Sequence, residues 1–120
     1  MTFDAATLDE LRSSREIAIR ASRPKARSVT IWVVVVDGAV FVRSVRGAKG
    51  QWFVAARAEG RATLALGRRR LAVRVAPVTD ATTIEAVSQA YLSKYATSPY
   101  AKTIVAHDTL PTTLRLDPAS

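Results

Sequence analysis

One stretch of the sequence, residues 29–45, restricts the possible folds more than any other. Residues 29–36 are mostly β-branched and almost wholly apolar, a pattern typical of a strand buried on both faces. Asp37-Gly38 follows, and residues 39–45 alternate between the two faces of a second strand. Because an Asp-Gly pair between two such runs is the strongest short hairpin signal, we predict an antiparallel pair of strands here.

Elsewhere, hydrophobic periodicity predicts further strands and helices separated by short gaps. Alternating side chains predict strands at residues 15–21, 61–66, 71–78 and 111–116. Helices are predicted at residues 4–12, 52–58, 82–96 and 99–106. Since most of the six strands follow one another as hairpins, we expect an α+β fold, a six-stranded, mainly antiparallel split β-barrel with peripheral helices. A flat α+β sandwich is the alternative architecture.

Capping residues mark the starts of three of these helices. Asp4 is a suitable cap for the first helix, and Thr82 with Glu85 forms a capping box for the third. Ser98-Pro99 places a cap before a proline at the first helical position, which predicts the start of the fourth helix.

Length and composition narrow the class of protein. The chain has 120 residues, which predicts one domain spanning residues 1–120. It contains no cysteine and one histidine, His107, so neither a disulfide framework nor a metal site is expected. We expect a cytoplasmic protein without a membrane span, because no signal-peptide pattern and no long apolar run is present. Motifs for a dinucleotide fold, an ATPase phosphate loop or a nucleophile elbow are absent, so no catalytic residue is assigned.

Positive charge is concentrated in the first two-thirds of the chain. The formal net charge is +8, and residues 12–74 hold 15 basic side chains against three acidic ones. Such asymmetry favours an anionic partner, for which a cofactor phosphate and a nucleic-acid backbone are both candidates. A solvated basic surface without a partner is the alternative.

Residues 30–66 also carry an ordered series of motifs. In chain order they are a buried strand (Thr30–Val36), a tight turn (Asp37-Gly38), a return strand (Val40–Ser44), a basic loop (Val45–Gly50), an aromatic pair (Trp52-Phe53) and the start of a further strand (Thr63-Leu64). This series resembles the core of the pyridoxamine-phosphate-oxidase-like split-barrel superfamily. The likeness is greatest to its flavin- and deazaflavin-binding branches, and to a group of small uncharacterised bacterial proteins within it.

The resemblance implies a cofactor site on these motifs. Basic and small polar residues bind the cofactor phosphate in the relatives, and the matching residues here are Arg43, Ser44, Arg46 and Lys49. Trp52 matches the aromatic pair and is either a cofactor contact or an anchor in the core or at a subunit interface. The implied cofactor is FMN or deazaflavin, and the implied assembly is a homodimer whose interface completes the cofactor groove.

Two departures from the family pattern keep more than one function open. The Asn-Leu pair of the relatives is Ala55-Ala56 here, and their Asn-Pro turn is Glu59-Gly60. The first hypothesis is a flavin- or deazaflavin-binding oxidoreductase of unknown substrate, and the second is a non-catalytic protein that binds flavin, deazaflavin or a haem-type ligand. The third, ranked last, is a basic nucleic-acid-binding module that uses tryptophan side chains for stacking.

Overall fold

Seven strands and four α-helices lie within residues 2–119, the part of the chain that the computed structural model describes. The strands are β1 (Ile17–Ala21), β2 (Val29–Ile31), β3 (Val33–Val36), β4 (Ala39–Val42), β5 (Arg61–Leu66), β6 (Arg69–Pro77) and β7 (Leu114–Pro118). The helices are α1 (Ala5–Ser13), α2 (Gln51–Glu59), α3 (Ala81–Lys94) and α4 (Ala101–Ile104), with 3₁₀ turns at Gly47–Lys49 and His107–Thr112. Met1 and Ser120, the ends of the predicted domain, lie outside the described residues. None of the helices within residues 2–119 combines the length and apolar content needed to cross a membrane.

The strand order shows that the sheet curls into a barrel. Hydrogen-bonded neighbours run β2-β1-β5-β6-β7-β4-β3, all antiparallel, so β2 and β3 are the two edges. Only Trp32 separates Ile31 at the end of β2 from Val33 at the start of β3, and a two-residue step covers at most about 7 Å. The edges therefore meet at Trp32, which makes the sheet a nearly closed, split barrel. The predicted fold class is confirmed, with seven strands in place of six.

The prediction of one continuous strand over residues 29–36 is wrong, because the side chain of Tyr95 interrupts it. The Tyr95 hydroxyl accepts the Val33 N–H at 3.2 Å and donates to the carbonyl of Arg15 at 2.7 Å. Its ring stacks on Trp32 with the ring centres 4.0 Å apart. A side chain from the end of α3 thus satisfies a backbone group that a continuous ladder would otherwise pair.

The predicted hairpin between β3 and β4 is confirmed. Val36 pairs with Ala39, and the two turn residues have positive φ, 50° at Asp37 and 76° at Gly38. Positive φ at both positions is the type I′ geometry, whose twist matches that of paired strands. The Asp-Gly turn therefore fixes the register of β4 and the position of the residues that follow it.

The hydrophobic core has two layers, one on each face of β3 and β4. Inside the barrel, strand side chains pack with Leu11 of α1 and Phe53 of α2, and α2 lies against β1, β5 and β6. Outside the barrel, Val34 and Phe41 pack against Tyr91 and other buried residues of α3 and α4. Val33 and Val34 are buried on opposite faces because β3 has the barrel interior on one side and α3 on the other.

The predicted helix boundaries are corrected in the C-terminal third. Asp80 caps α3 by accepting the Thr83 N–H at 2.9 Å, in place of the predicted capping box of Thr82 and Glu85. The fourth helix is one short turn, α4, rather than the predicted residues 99–106. A cap two residues earlier than predicted lengthens the start of α3 without changing its buried face.

The last predicted strand, residues 111–116, is displaced toward the C-terminus. The second 3₁₀ turn contains Pro111, and β7 begins only at Leu114. Threonine hydroxyls in this segment donate to local carbonyls, as Thr109 does to Ile104 at 2.8 Å. Side-chain bonds of this kind compete with a strand ladder and stabilise the turn.

We expect Tyr95→Phe to lower the free energy of unfolding by about 1–3 kcal/mol, because it leaves the buried Val33 N–H without an acceptor. Tyr100→Phe is the matched control, since Tyr100 is 69% exposed, and its effect should stay below about 0.5 kcal/mol. Urea titration followed by tryptophan fluorescence measures both variants. Equal stability of the two would contradict the role of Tyr95 at the strand break.

Candidate functional site

A cleft of about 680 Å³ opens where the two edges of the barrel meet. Its walls are β2 with Trp32, the segment that follows β4, the start of α2, and the side chains of Tyr100 and Thr103. A volume of this size lies within the range of about 300–1,000 Å³ typical of small-molecule and cofactor sites. We call this space the main cleft.

Ser44, two residues after the end of β4, places an unpaired hydroxyl in the cleft wall. The residue is 1% exposed, and its backbone N–H donates to Thr112 Oγ1 at 3.0 Å. Its own Oγ has no hydrogen-bond partner among residues 2–119. Because a buried polar group without a partner costs about 1–3 kcal/mol, its position in the wall makes Ser44 Oγ a candidate contact for a ligand in the cleft.

The N-terminus of α2 lies against the same hydroxyl. Gly50 and Gln51 line the cleft, and no side chain caps the first turn of the helix. The first backbone N–H groups therefore keep their hydrogen-bonding capacity at the positive end of the helix dipole. A Cβ at Gly50 would collide with Ser44 Oγ, so only glycine allows this close approach. The hydroxyl and the helix N–H groups together form a set of donors suited to an anion.

Arg43 reaches the cleft wall, but its guanidinium is held inside the protein. The side chain is 1% exposed, and the distance from its Nε to Thr113 Oγ1 is 2.9 Å. The terminal nitrogens donate to three further acceptors, namely Ser88 Oγ and the carbonyls of Ile84 and Ile104. These bonds tie the end of β4 to α3, to α4 and to the residue before β7.

The buried charge of Arg43 is stabilised without a direct carboxylate contact. Burial lowers the pKa of the guanidinium, while Tyr91 and Glu85 oppose that shift. The guanidinium carbon lies 5.6 Å from the centre of the Tyr91 ring, within cation–π range. Since all three of its nitrogens already donate to protein groups, Arg43 supplies rigidity and positive potential to the cleft rather than a free fork for phosphate.

Of the other predicted cofactor-binding residues, Arg46 and Trp52 lie in the main cleft and Lys49 does not line it. Arg46 is exposed at the rim, and Trp52 is half-buried in the wall, edge-on to Phe53 with the ring centres 6.2 Å apart. Lys49 is exposed at the end of the first 3₁₀ turn. The cleft thus gathers four of the five residues predicted from the sequence.

Sequence reasoning missed the opposite wall of the cleft. That wall contains Glu16, Trp32 and Tyr100, which come together only when the barrel closes. No local pattern connects these residues, so no sequence signal identifies them as neighbours. Gly50 does have a signal, because a glycine that precedes a helix with no capping side chain leaves the helix N-terminus free.

The donor chemistry of the main cleft suits an anion. Among residues 2–119, no three His, Cys, Asp or Glu side chains are grouped so that they could hold a metal ion. His107 begins the second 3₁₀ turn and is exposed. Hydroxyl and N–H donors with nearby cations are what phosphate groups bind in proteins.

Comparison with known proteins identifies the family of the chain. The sequence pattern of DUF2255, described as an uncharacterized protein conserved in bacteria, matches residues 7–116. The chain belongs to the DUF2255 family. A comparison with curated proteins finds none that matches.

Three solved structures share the fold of this DUF2255 member. Conserved hypothetical protein Rv2991 from Mycobacterium tuberculosis is 18% identical, with a TM-score of 0.67 over 97% of this chain and 79% of that one. A candidate pyridoxamine 5′-phosphate oxidase from Listeria innocua is 10% identical, with a TM-score of 0.65 over 96% and 92% of the two chains. The FAD binding protein from Mycobacterium smegmatis is 16% identical, with a TM-score of 0.59 over 98% and 92%. Because the identities are this low, the three structures show the fold alone. The expected likeness to the pyridoxamine-phosphate-oxidase-like split barrels is confirmed as a likeness of fold.

We expect Arg43→Met to lower the free energy of unfolding by about 3 kcal/mol or more, because several buried acceptors lose their donor at once. Arg46→Met removes the same charge from the exposed rim and should change stability by less than about 0.5 kcal/mol. Urea unfolding monitored by circular dichroism measures both variants. If Arg43→Met is as stable as the unmodified chain, the buried hydrogen-bond network does not hold β4 in place.

Proposed function

We propose that this chain, as a single split-barrel domain of residues 1–120, binds a flavin or deazaflavin cofactor in the main cleft. The cofactor phosphate would accept hydrogen bonds from Ser44 Oγ and from the backbone N–H groups at the start of α2. The observation that carries the proposal is the buried Ser44 hydroxyl, which has no partner within residues 2–119 and lies against an uncapped helix N-terminus.

Charge around this phosphate position supports the proposal. Arg46 stands at the rim of the cleft, and Lys49 lies in the same loop. Buried Arg43 adds positive potential and fixes the backbone from which Ser44 projects. A phosphate approaching the cleft would thus meet Arg46 directly and the positive potential of buried Arg43 and of Lys49 nearby, which favours its association.

The comparisons support a flavin-type ligand at the level of the fold. The FAD binding protein from Mycobacterium smegmatis shares the split barrel with this chain. Ligand sites recur at similar places on one fold, although fold alone does not determine function. The proposal therefore rests on the residues of the cleft, and the shared fold adds to them.

The cleft residues would bind and orient the cofactor rather than carry out chemistry themselves. A bound flavin or deazaflavin supplies hydride transfer, which no amino-acid side chain performs. Ser44 and α2 would hold the phosphate, and the walls formed by β2, Trp32 and Trp52 would limit the access of water to the ring. We propose an oxidoreductase as the first form of this function and a non-catalytic cofactor-binding protein as the second. Turnover with a reductant separates the two.

We also propose that the functional unit is a homodimer in which a second copy covers the main cleft. Val45 and Tyr100 are 56% and 69% exposed, and both line the cleft. Exposed apolar side chains beside a binding site are typical of a surface that another protein covers. Sedimentation of the chain at micromolar concentration is expected to give a dimer. If the chain is a monomer and still binds flavin, the homodimer proposal is wrong and the proposed cofactor site in the main cleft stands.

We expect Ser44→Ala to weaken the binding of FMN and deazaflavin by about 10- to 100-fold, the worth of one hydrogen bond to a charged group. The same substitution removes an unpaired buried hydroxyl, so the cofactor-free protein should be as stable as the unmodified chain or more stable. Fluorescence titration measures the dissociation constants, and urea unfolding measures the stability.

Two further variants sharpen this test. Ser13→Ala, exposed on α1 and outside the cleft, is the matched control and should leave binding unchanged. Arg46→Ala with Lys49→Ala should weaken binding and reduce its dependence on salt. If Ser44→Ala binds the cofactors with unchanged affinity, the phosphate does not bind at Ser44. If the unmodified chain binds neither cofactor, the proposed function is wrong.

A further inference from the structure

A second pocket of about 250 Å³ adjoins the main cleft. It lies between the loop that joins β1 to β2 and the first half of α2. Val29, Gln51 and Trp52 line both spaces, so the two lie side by side at the start of α2. We call this second space the loop pocket.

Three cationic side chains line the loop pocket, and no acidic one does. They are Arg23, Lys25 and Arg27. Arg23 makes one long, exposed contact with Glu59 at 3.5 Å, which contributes little to stability. Lys25 and Arg27 make no side-chain hydrogen bond or ion pair within residues 2–119. The pocket thus concentrates three positive charges, of which only that of Arg23 has a carboxylate partner within residues 2–119.

The loop holds these cations in a defined turn. The Arg23 N–H donates to the carbonyl of Ala21 at 3.0 Å, and the Ala26 N–H donates to the carbonyl of Arg23 at 3.3 Å. Lys25 has a φ of 65° in the left-handed region, which is unfavourable for a lysine. The turn thus holds Lys25 in an unfavourable backbone conformation, and such conformations are concentrated at binding sites.

The rest of the loop pocket is apolar. Ala21 and Ala55 are buried beneath it, and Pro24 and Trp52 complete its wall. A pocket with an apolar wall beside cations suits a ligand that carries both an anionic group and an apolar group. The anionic group would contact the cations, and the apolar group would pack against the wall. An inorganic anion would bind the cations but leave the apolar wall exposed to solvent.

We infer that the loop pocket binds a second anionic group of the cofactor, joined to the phosphate that Ser44 binds. This inference rests on the proposed function, and it identifies the cofactor class. FMN ends at its single phosphate and would leave the loop pocket empty. A flavin dinucleotide, with a second phosphate and an adenine, would fill both the cationic and the apolar parts. A deazaflavin whose phosphate continues into an acidic tail offers the same second anion.

The test compares FMN, FAD and a deazaflavin with its acidic tail on two triple variants. One variant, Arg23→Ala/Lys25→Ala/Arg27→Ala, removes the loop-pocket cations. The matched control, Arg68→Ala/Arg70→Ala/Arg74→Ala, removes three exposed charges on and beside β6. The unmodified chain should bind FAD or the tailed deazaflavin about tenfold or more tightly than FMN, as expected for charge-assisted bonds to a second anion.

The loop-pocket variant should lose that preference while its FMN affinity stays within about twofold, and the control variant should keep the preference. ADP is the probe for the loop pocket alone. If the occupant is a dinucleotide, ADP should bind the unmodified chain and the control variant but not the loop-pocket variant. Preference for FAD with ADP binding identifies a dinucleotide, whereas preference for the deazaflavin without ADP binding identifies the acidic tail.

Three results would overturn the inference. If FMN binds as tightly as the longer cofactors, or if the loop-pocket variant keeps their preference, the second anion subsite is wrong and the proposed function stands. If none of the three cofactors binds the folded chain, the proposed function fails and the inference fails with it.

Discussion

The hydrogen bonds of the buried Arg43 guanidinium are the interaction on which the arrangement of the site depends. Arg43 follows β4, and its acceptors lie on α3, at the end of α4 and just before β7. An arginine can serve so many acceptors because its five donors lie in one rigid plane. The next residue is Ser44, so the same bonds that join three elements also fix the hydroxyl that we propose as the phosphate contact.

The barrel places a cleft beside this hydroxyl because its edges meet without pairing. At Trp32 the chain passes directly from one edge of the sheet to the other, and Tyr95 takes the hydrogen bond that a ladder would have made. The cleft therefore lies where the two unpaired sheet edges meet and beside the start of α2, whose first N–H groups have no capping side chain. These groups can donate hydrogen bonds to a ligand in the cleft. The same closure that removes exposed sheet edges therefore creates the main cleft.

The strong positive charge of the chain divides into groups with different physical roles. Arg43 is buried and serves the fold, Arg46 stands at the rim of the main cleft, and the β1–β2 loop brings three cations to the loop pocket. Other arginines, such as Arg61 and Arg74, are neighbours on adjacent strands at the exposed face of the sheet, where water screens their charges. A count of basic residues cannot separate these roles, because burial and partners decide what each charge does.

Local sequence determined the β3–β4 hairpin, the amphipathic α3 and the helix that begins near Trp52, because turn chemistry and periodicity act over a few residues. The family resemblance of the same stretch, rather than periodicity, indicated Ser44, Arg46 and Trp52, which lie close together in the chain as well as in the cleft. Only the tertiary structure decided the break at Trp32 and the burial of Arg43, because both depend on partners 62 and 70 residues away. The opposite wall of the cleft and the loop pocket likewise exist only once the barrel has closed, since no local pattern records which distant residues closure brings together.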